Sequence, residues 1–105
     1  MRRKTDLMDQ SLCEAVLDGN LDQVKWIIKH HDNVNAQNQY GFTPALIAAK
    51  QNNLDMLKFL VGNGADLNLS DGMGQTPMNW AEINNNQEMI DFIKDQGSNS
   101  SLKPK

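Results

Sequence analysis

Cys13, His30 and His31 are the residues of this 105-residue chain whose types suit nucleophile–base chemistry or soft-metal binding. A thiol beside an imidazole is the pairing of a cysteine nucleophile with its general base. A cysteine-dependent enzyme is therefore one reading, and it rests on Cys13 alone. With one cysteine no internal disulfide forms, and with only His30 and His31 to add, no zinc set of usual spacing can be built. The bland reading makes Cys13 a small core residue. His30 and His31 end a helical stretch, where a cationic or hydrogen-bonding side chain complements exposed carbonyls. Gly-rich phosphate loops, His-Glu-x-x-His helices and Gly-x-Ser-x-Gly elbows are all missing from the sequence. The expectation is a non-enzyme with no catalytic residue, metal or cofactor.

The chain has 39% hydrophobic and 22% charged residues, which suits one small folded domain and excludes a wholly disordered one. Its apolar runs are only a few residues long, far short of the roughly 20 that a spanning helix needs, so no membrane partner is expected. Met1-Arg2-Arg3-Lys4 is followed by polar residues rather than an apolar stretch, which argues against a signal peptide and for an intracellular, cytoplasmic protein. Arg2, Arg3, Lys4, Lys103 and Lys105 put five positive charges at the ends, whereas five lysines in the body face thirteen carboxylates. An acidic body with scattered lysines excludes a phosphate-tracking surface, hence no nucleic acid. The basic ends read as solvated tails.

The elements that position these residues follow from an internal period of 33. Thr43-Pro44 recurs as Thr76-Pro77, Gly41 as Gly74, Ala48 as Ala81, and Asn53 as Asn86. Backwards, Ala15 precedes Ala48, Leu21 precedes Leu54, Lys25 precedes Lys58, and Asn35 precedes Asn68 by the same step. Three copies result, over about 8–37, 38–70 and 71–97, with a flexible basic N-terminus at 1–7 and a flexible tail at 98–105.

In the middle copy Pro44 opens a short helix at a position where its missing donor costs nothing. Ala45, Ala48 and Ala49 allow close approach of a neighbour, and the helix should stop near Asn52, the counterpart of Gly19 and Asn85. Glycine and asparagine are the residues that best tolerate the left-handed conformation ending a helix. The stripe Leu54, Leu57, Leu60, Val61 predicts a second, amphipathic helix from about Leu54 to Gly62. Ser70-Asp71-Gly72-Met73-Gly74 then predicts a β-turn or hairpin leading to the next Thr-Pro. Trp26 and Trp80 fall in apolar stripes and are expected in the core.

Gly41-Phe42-Thr43-Pro44-Ala45-Leu46-Ile47-Ala48-Ala49, with Leu54 to Leu60 and Gly64-Ala65-Asp66-Leu67-Asn68, resembles the ankyrin repeat over about 90 residues. The resemblance implies an all-α solenoid of helix-turn-helix units joined by β-hairpin turns. It also implies protein binding rather than catalysis. The family's Thr-Pro-Leu-His histidine is replaced here by Cys13, Leu46 and Asn79. Leu60 to Asn68 is similar to the segment in which asparaginyl hydroxylases modify ankyrin hairpins, making Asn68 a candidate target; alternatively, this asparagine simply bonds the hairpin backbone.

Terminal copies of a stack need one polar face. Glu14 stands where the middle copy has Ile47, and Glu82 and Lys94 stand where it has Ala49 and Val61. This pattern predicts two caps around one internal repeat, a monomer whose stability is shared among all three copies.

Ankyrin arrays bind through their hairpin tips and first helices, so the resemblance places the partner site on the concave face. Positions there that the scaffold leaves undictated are Gln39, Tyr40, Phe42, Lys50 and Gln51 in the middle copy, with Met73, Gln75, Ile83 and Asn84 in the last. Tyr40, Phe42, Met73 and Ile83 are apolar side chains of the kind that anchor interfaces, although Tyr40 and Phe42 would also serve to cover the repeat junction. A partner protein with a basic rim would suit the acidic body. The alternative is a small stoichiometric inhibitor or toxin-neutralising protein of one specific enzyme, by analogy with small ankyrin proteins that inhibit kinases.

Overall fold

The structure, a computed structural model, describes residues 11–31 and 33–102. Six helices follow in pairs: α1 Leu12–Leu17 with α2 Leu21–His31, α3 Pro44–Lys50 with α4 Leu54–Gly62, and α5 Pro77–Ile83 with α6 Gln87–Leu102. The short first helices stack on one another, α3 lying between α1 and α5, and each packs against the second helix of its own copy.

Each first helix starts the same way. Ser11, Thr43 and Thr76 take the N-cap, their hydroxyls accepting the N–H of Glu14, Leu46 and Asn79. Pro44 and Pro77 follow at the first turn. Each also stops the same way, at the positions the period marks. Gly19, Asn52 and Asn85 have φ of 72°, 64° and 54°. The next N–H, from Asn20, Asn53 and Asn86, returns to the carbonyl of Ala15, Ala48 and Ala81 at 2.9–3.1 Å, which is a Schellman closure. Those three asparagines then cap the second helices, their Oδ1 accepting from Gln23, Met56 and Met89. Two residues per copy thus end one helix and begin the next.

Ala15, Ala48 and Ala81 are fully buried along the contact between first helices. Leu12, Val16, Val24, Ile27, Met56, Leu57, Leu60, Met89 and Ile93 fill the layer between first and second helices. Among the described residues every buried side-chain nitrogen or oxygen has a hydrogen-bond partner.

The structure departs from the sequence-based expectation at the connections. No strand occurs among the described residues, so of the two expected forms, β-turn or hairpin, the connections take the β-turn. Two backbone bonds hold each one: Gly41 N–H donates to the Asn38 carbonyl at 3.0 Å and Gly74 N–H to the Asp71 carbonyl at 2.9 Å, and around them Asn38 N–H donates to the Phe42 carbonyl and Asp71 N–H to the Gln75 carbonyl, both at 2.9 Å. The remaining donors go to side chains rather than to a ladder: Asn38 Oδ1 accepts from Tyr40 and Phe42, and Asp71 Oδ1 from Met73 and Gln75. The last helix also differs. Gly64, at φ 98°, turns the chain after α4, but α6 runs through the equivalent Gly97 to Leu102 and so spans the expected boundary between repeats and tail. At α4 the turn is held by Asn35 of the copy before, which accepts the Asp66 N–H at 2.8 Å and donates to Gly64. The ends 1–7 and 103–105, with their basic residues, lie outside the described residues.

Candidate partner-binding face

The tryptophans expected in the core are only half-buried. Trp26 stacks on His30 with ring centroids 4.1 Å apart. Trp80 turns its indole N–H to Asp71 Oδ2 at 3.1 Å. An indole carries one polar atom, so its edge stays where a partner can reach it.

His30 Nδ1 lies 2.8 Å from the Trp26 carbonyl in the last turn of α2, a local bond that occupies the imidazole as its place at a helix end implies. The side chain of His31 lies outside the described residues. Cys13 is buried, and its Sγ donates towards the carbonyls of Ala36 and Phe42, 3.4 Å from each. Burial pushes the thiol pKa up to about 11 despite the backbone N–H of Asn38, and the charge of Glu14 adds to the rise. A protonated thiol bonded to two carbonyls pins a loop and is a poor nucleophile. Asn79 answers the missing family histidine differently, its Oδ1 accepting the Thr76 N–H and hydroxyl. Leu46 fills the same place as a fully buried side chain. Among the described residues no group of His, Cys, Asp or Glu could hold a metal ion, and no helix is long and apolar enough to cross a membrane.

The exposed large hydrophobic residues obey the period. Leu17 and Ile83, 58% and 56% exposed, share the last position of the first helix, with Lys50 between them in register. Tyr40 and Met73, 67% and 73% exposed, share the loop tip. Glu14, Ile47 and Trp80 make a third row by the same step of 33. Members of all three rows surround a hollow of about 400 Å³ lined by Leu17, Asn38, Tyr40, Phe42, Ile47, Lys50 and Gln51. A second hollow of about 380 Å³ shares Leu17, Asn38 and Tyr40 and adds Glu14 and Gln39. The face is therefore hollowed into a trough between the first two copies, and its three rows continue into the last copy at Met73, Trp80 and Ile83.

The other expected site residues divide. Gln39 is exposed beside Tyr40 and Gln75 half-buried in the last loop. Phe42 packs on the core, 6.5 Å from the Trp80 ring, and the Lys50 ammonium sits 5.2 Å from the Phe42 ring centroid and 5.5 Å from that of Trp80. Phe42 is thus part of the floor, covering the junction between copies. Gln51 and Asn84 do carry a scaffold task. Gln51 Nε2 donates to the Leu17 carbonyl at 2.8 Å, and Asn84 Nδ2 donates to Ala49 and Lys50 at 3.1 and 3.3 Å. Each ties the open end of the preceding first helix, a role visible in the sequence only as two amides 33 residues apart. Asp71 is the site residue that its sequence context, a turn, does not single out. Burial pushes its carboxyl pKa up, but the N–H groups of Gln75 and Met73, the Trp80 indole and the Lys50 charge outweigh this and hold it below the ordinary range. Asn68 is exposed, its N–H donating to Asp66 Oδ1 at 2.9 Å, beside a separate hollow lined by Val61, Leu67, Met78 and Lys94.

The family model for ankyrin repeats in three copies matches residues 12–103. The chain belongs to the ankyrin-repeat family, whose repeats are in general protein–protein interaction modules and typically not enzymes. Among curated proteins, none matches this chain.

Proposed function

We propose that this chain is a non-catalytic module that docks one partner protein in the trough formed by its loop tips and first helices, and that it does so as a monomer. One observation carries the reading: Leu17, Tyr40, Met73 and Ile83, the large apolar side chains most exposed to solvent, all fall on two register rows of one face. Scattered exposed hydrophobics need no explanation, but a set aligned in register on one face of a stack suits an interface. Glu14 and Glu82, exposed on the first helices of the outer copies, suit a partner with basic residues around its apolar contact.

The test is affinity capture from the source cell's lysate with the wild type and with Tyr40→Ala/Met73→Ala. Both side chains stand free of the core, so the double variant should keep its circular dichroism. A partner retained by the wild type alone supports the reading. The same partner retained equally by both baits moves the site elsewhere.

A further inference from the structure

Resting on that reading, the spacing of the rows points to the kind of partner segment. Packed helices lie about 8–10 Å apart, so Leu17, Lys50 and Ile83, one per stacked first helix, recur along the trough on about that step. An extended strand places same-side residues about 6.7 or 13 Å apart and misses this step. A helix rises about 10.5 Å over seven residues, just above that step, and keeps all three contacts on one side. The drift of roughly 20° per heptad is small over two such steps.

Charge fixes the middle position. Lys50 interrupts the apolar row between Leu17 and Ile83, and its ammonium rests on the faces of Phe42 and Trp80. The carboxylate that attracts it, Asp71, is buried and already accepts two backbone N–H groups and an indole N–H. A lysine held against two rings at the centre of an apolar strip is a fixed cation for a partner to meet.

We propose that the trough takes an amphipathic helix lying across the stacked first helices. This helix carries apolar side chains at i and i+14, against Leu17 and Ile83, and an Asp or Glu at i+7 against Lys50. Tyr40 and Met73 flank it from the loop tips, which is helix-in-groove recognition with one acidic register mark.

The test is selection of phage-displayed 20-residue peptides against the full chain, repeated against Lys50→Glu. The expected result is enrichment of apolar–acidic–apolar residues at seven-residue spacing. On Lys50→Glu the central preference should turn to Lys or Arg. Replacing the central acid of an enriched peptide by Ala should weaken binding about 1.4-fold to fivefold, the range of an exposed ion pair. Enriched peptides with no acidic residue at the centre, or an unchanged preference on Lys50→Glu, overturn the proposal. Peptides that bind Tyr40→Ala/Met73→Ala as well as the wild type overturn the trough itself, and a selection that enriches nothing counts against both.

Discussion

Asp71 accepts the Trp80 indole N–H at 3.1 Å, and the same carboxylate holds the loop that presents Met73. Asn38 occupies the equivalent place one copy earlier and holds the Tyr40 loop with the corresponding oxygen. Only the later loop adds an indole and a lysine, so only it depends on charge.

That dependence has a direction. The Asp71 pKa is held below its ordinary value near 3.8, so the folded chain binds this proton less readily than the unfolded chain does. The stabilisation is full above about pH 4 and is lost as pH falls through the folded pKa. Urea midpoints measured from pH 6 downwards should fall, and Asp71→Asn should flatten that fall. The variant keeps a loop-holding oxygen, as Asn38 does, but gives up the Lys50 attraction and the acceptor for the Trp80 indole N–H.

Cys13 has the opposite sign. A thiol raised to about 11 stays protonated in the folded chain while the unfolded one ionises near 9. Stability should therefore fall between pH 9 and pH 11, and Cys13→Ala should remove that component. At neutral pH, alkylation of the native thiol should proceed only as fast as the fold opens, which a denaturant series with iodoacetamide would read.

Gln51→Ala and Asn84→Ala each remove one tie between copies. Each should cost about 0.5–1.5 kcal/mol by chemical denaturation. The two ties lie at different junctions, so the double variant should cost close to their sum.

Gly41 stands at φ 85° and lies close against the next loop, where a Cβ would meet the Gly72 nitrogen at 3.0 Å. Gly41→Ala should cost about 1–2 kcal/mol from the backbone conformation alone, with more from the contact. Gly19→Ala, with open space around the same kind of backbone, should cost only the first part. Comparing the two midpoints separates conformation from crowding.

Much of this architecture is legible in the residues because it is local and repeated. The stop at Asn52 shows as an αL-tolerant residue matching Gly19 and Asn85, and α4 begins and ends where the Leu54–Val61 stripe and Gly62 place it. The loops keep the expected β-turn but form no hairpin, because glycine-rich turn residues look alike whether backbone or side-chain acceptors take the flanking donors. Asn38 and Asp71 take the donors that a strand ladder would have used. Trp80 departs from the core because its position in a stripe says nothing of where one polar nitrogen must go. On the candidate face, Tyr40, Met73 and Ile83 are visible as apolar residues that the repeat does not require. The tasks of Gln51 and Asn84 are hidden, because they depend on carbonyls left open in another copy.

The most direct measurement is the dissociation constant of the captured partner, by calorimetry, for the wild type, Tyr40→Ala/Met73→Ala and Lys29→Ala, the last exposed on α2 away from the trough. The account predicts weakening of tenfold or more for the double variant, about 1.4 kcal/mol or more, and an unchanged constant for Lys29→Ala. An unchanged constant for the double variant, with its circular dichroism intact, would contradict it.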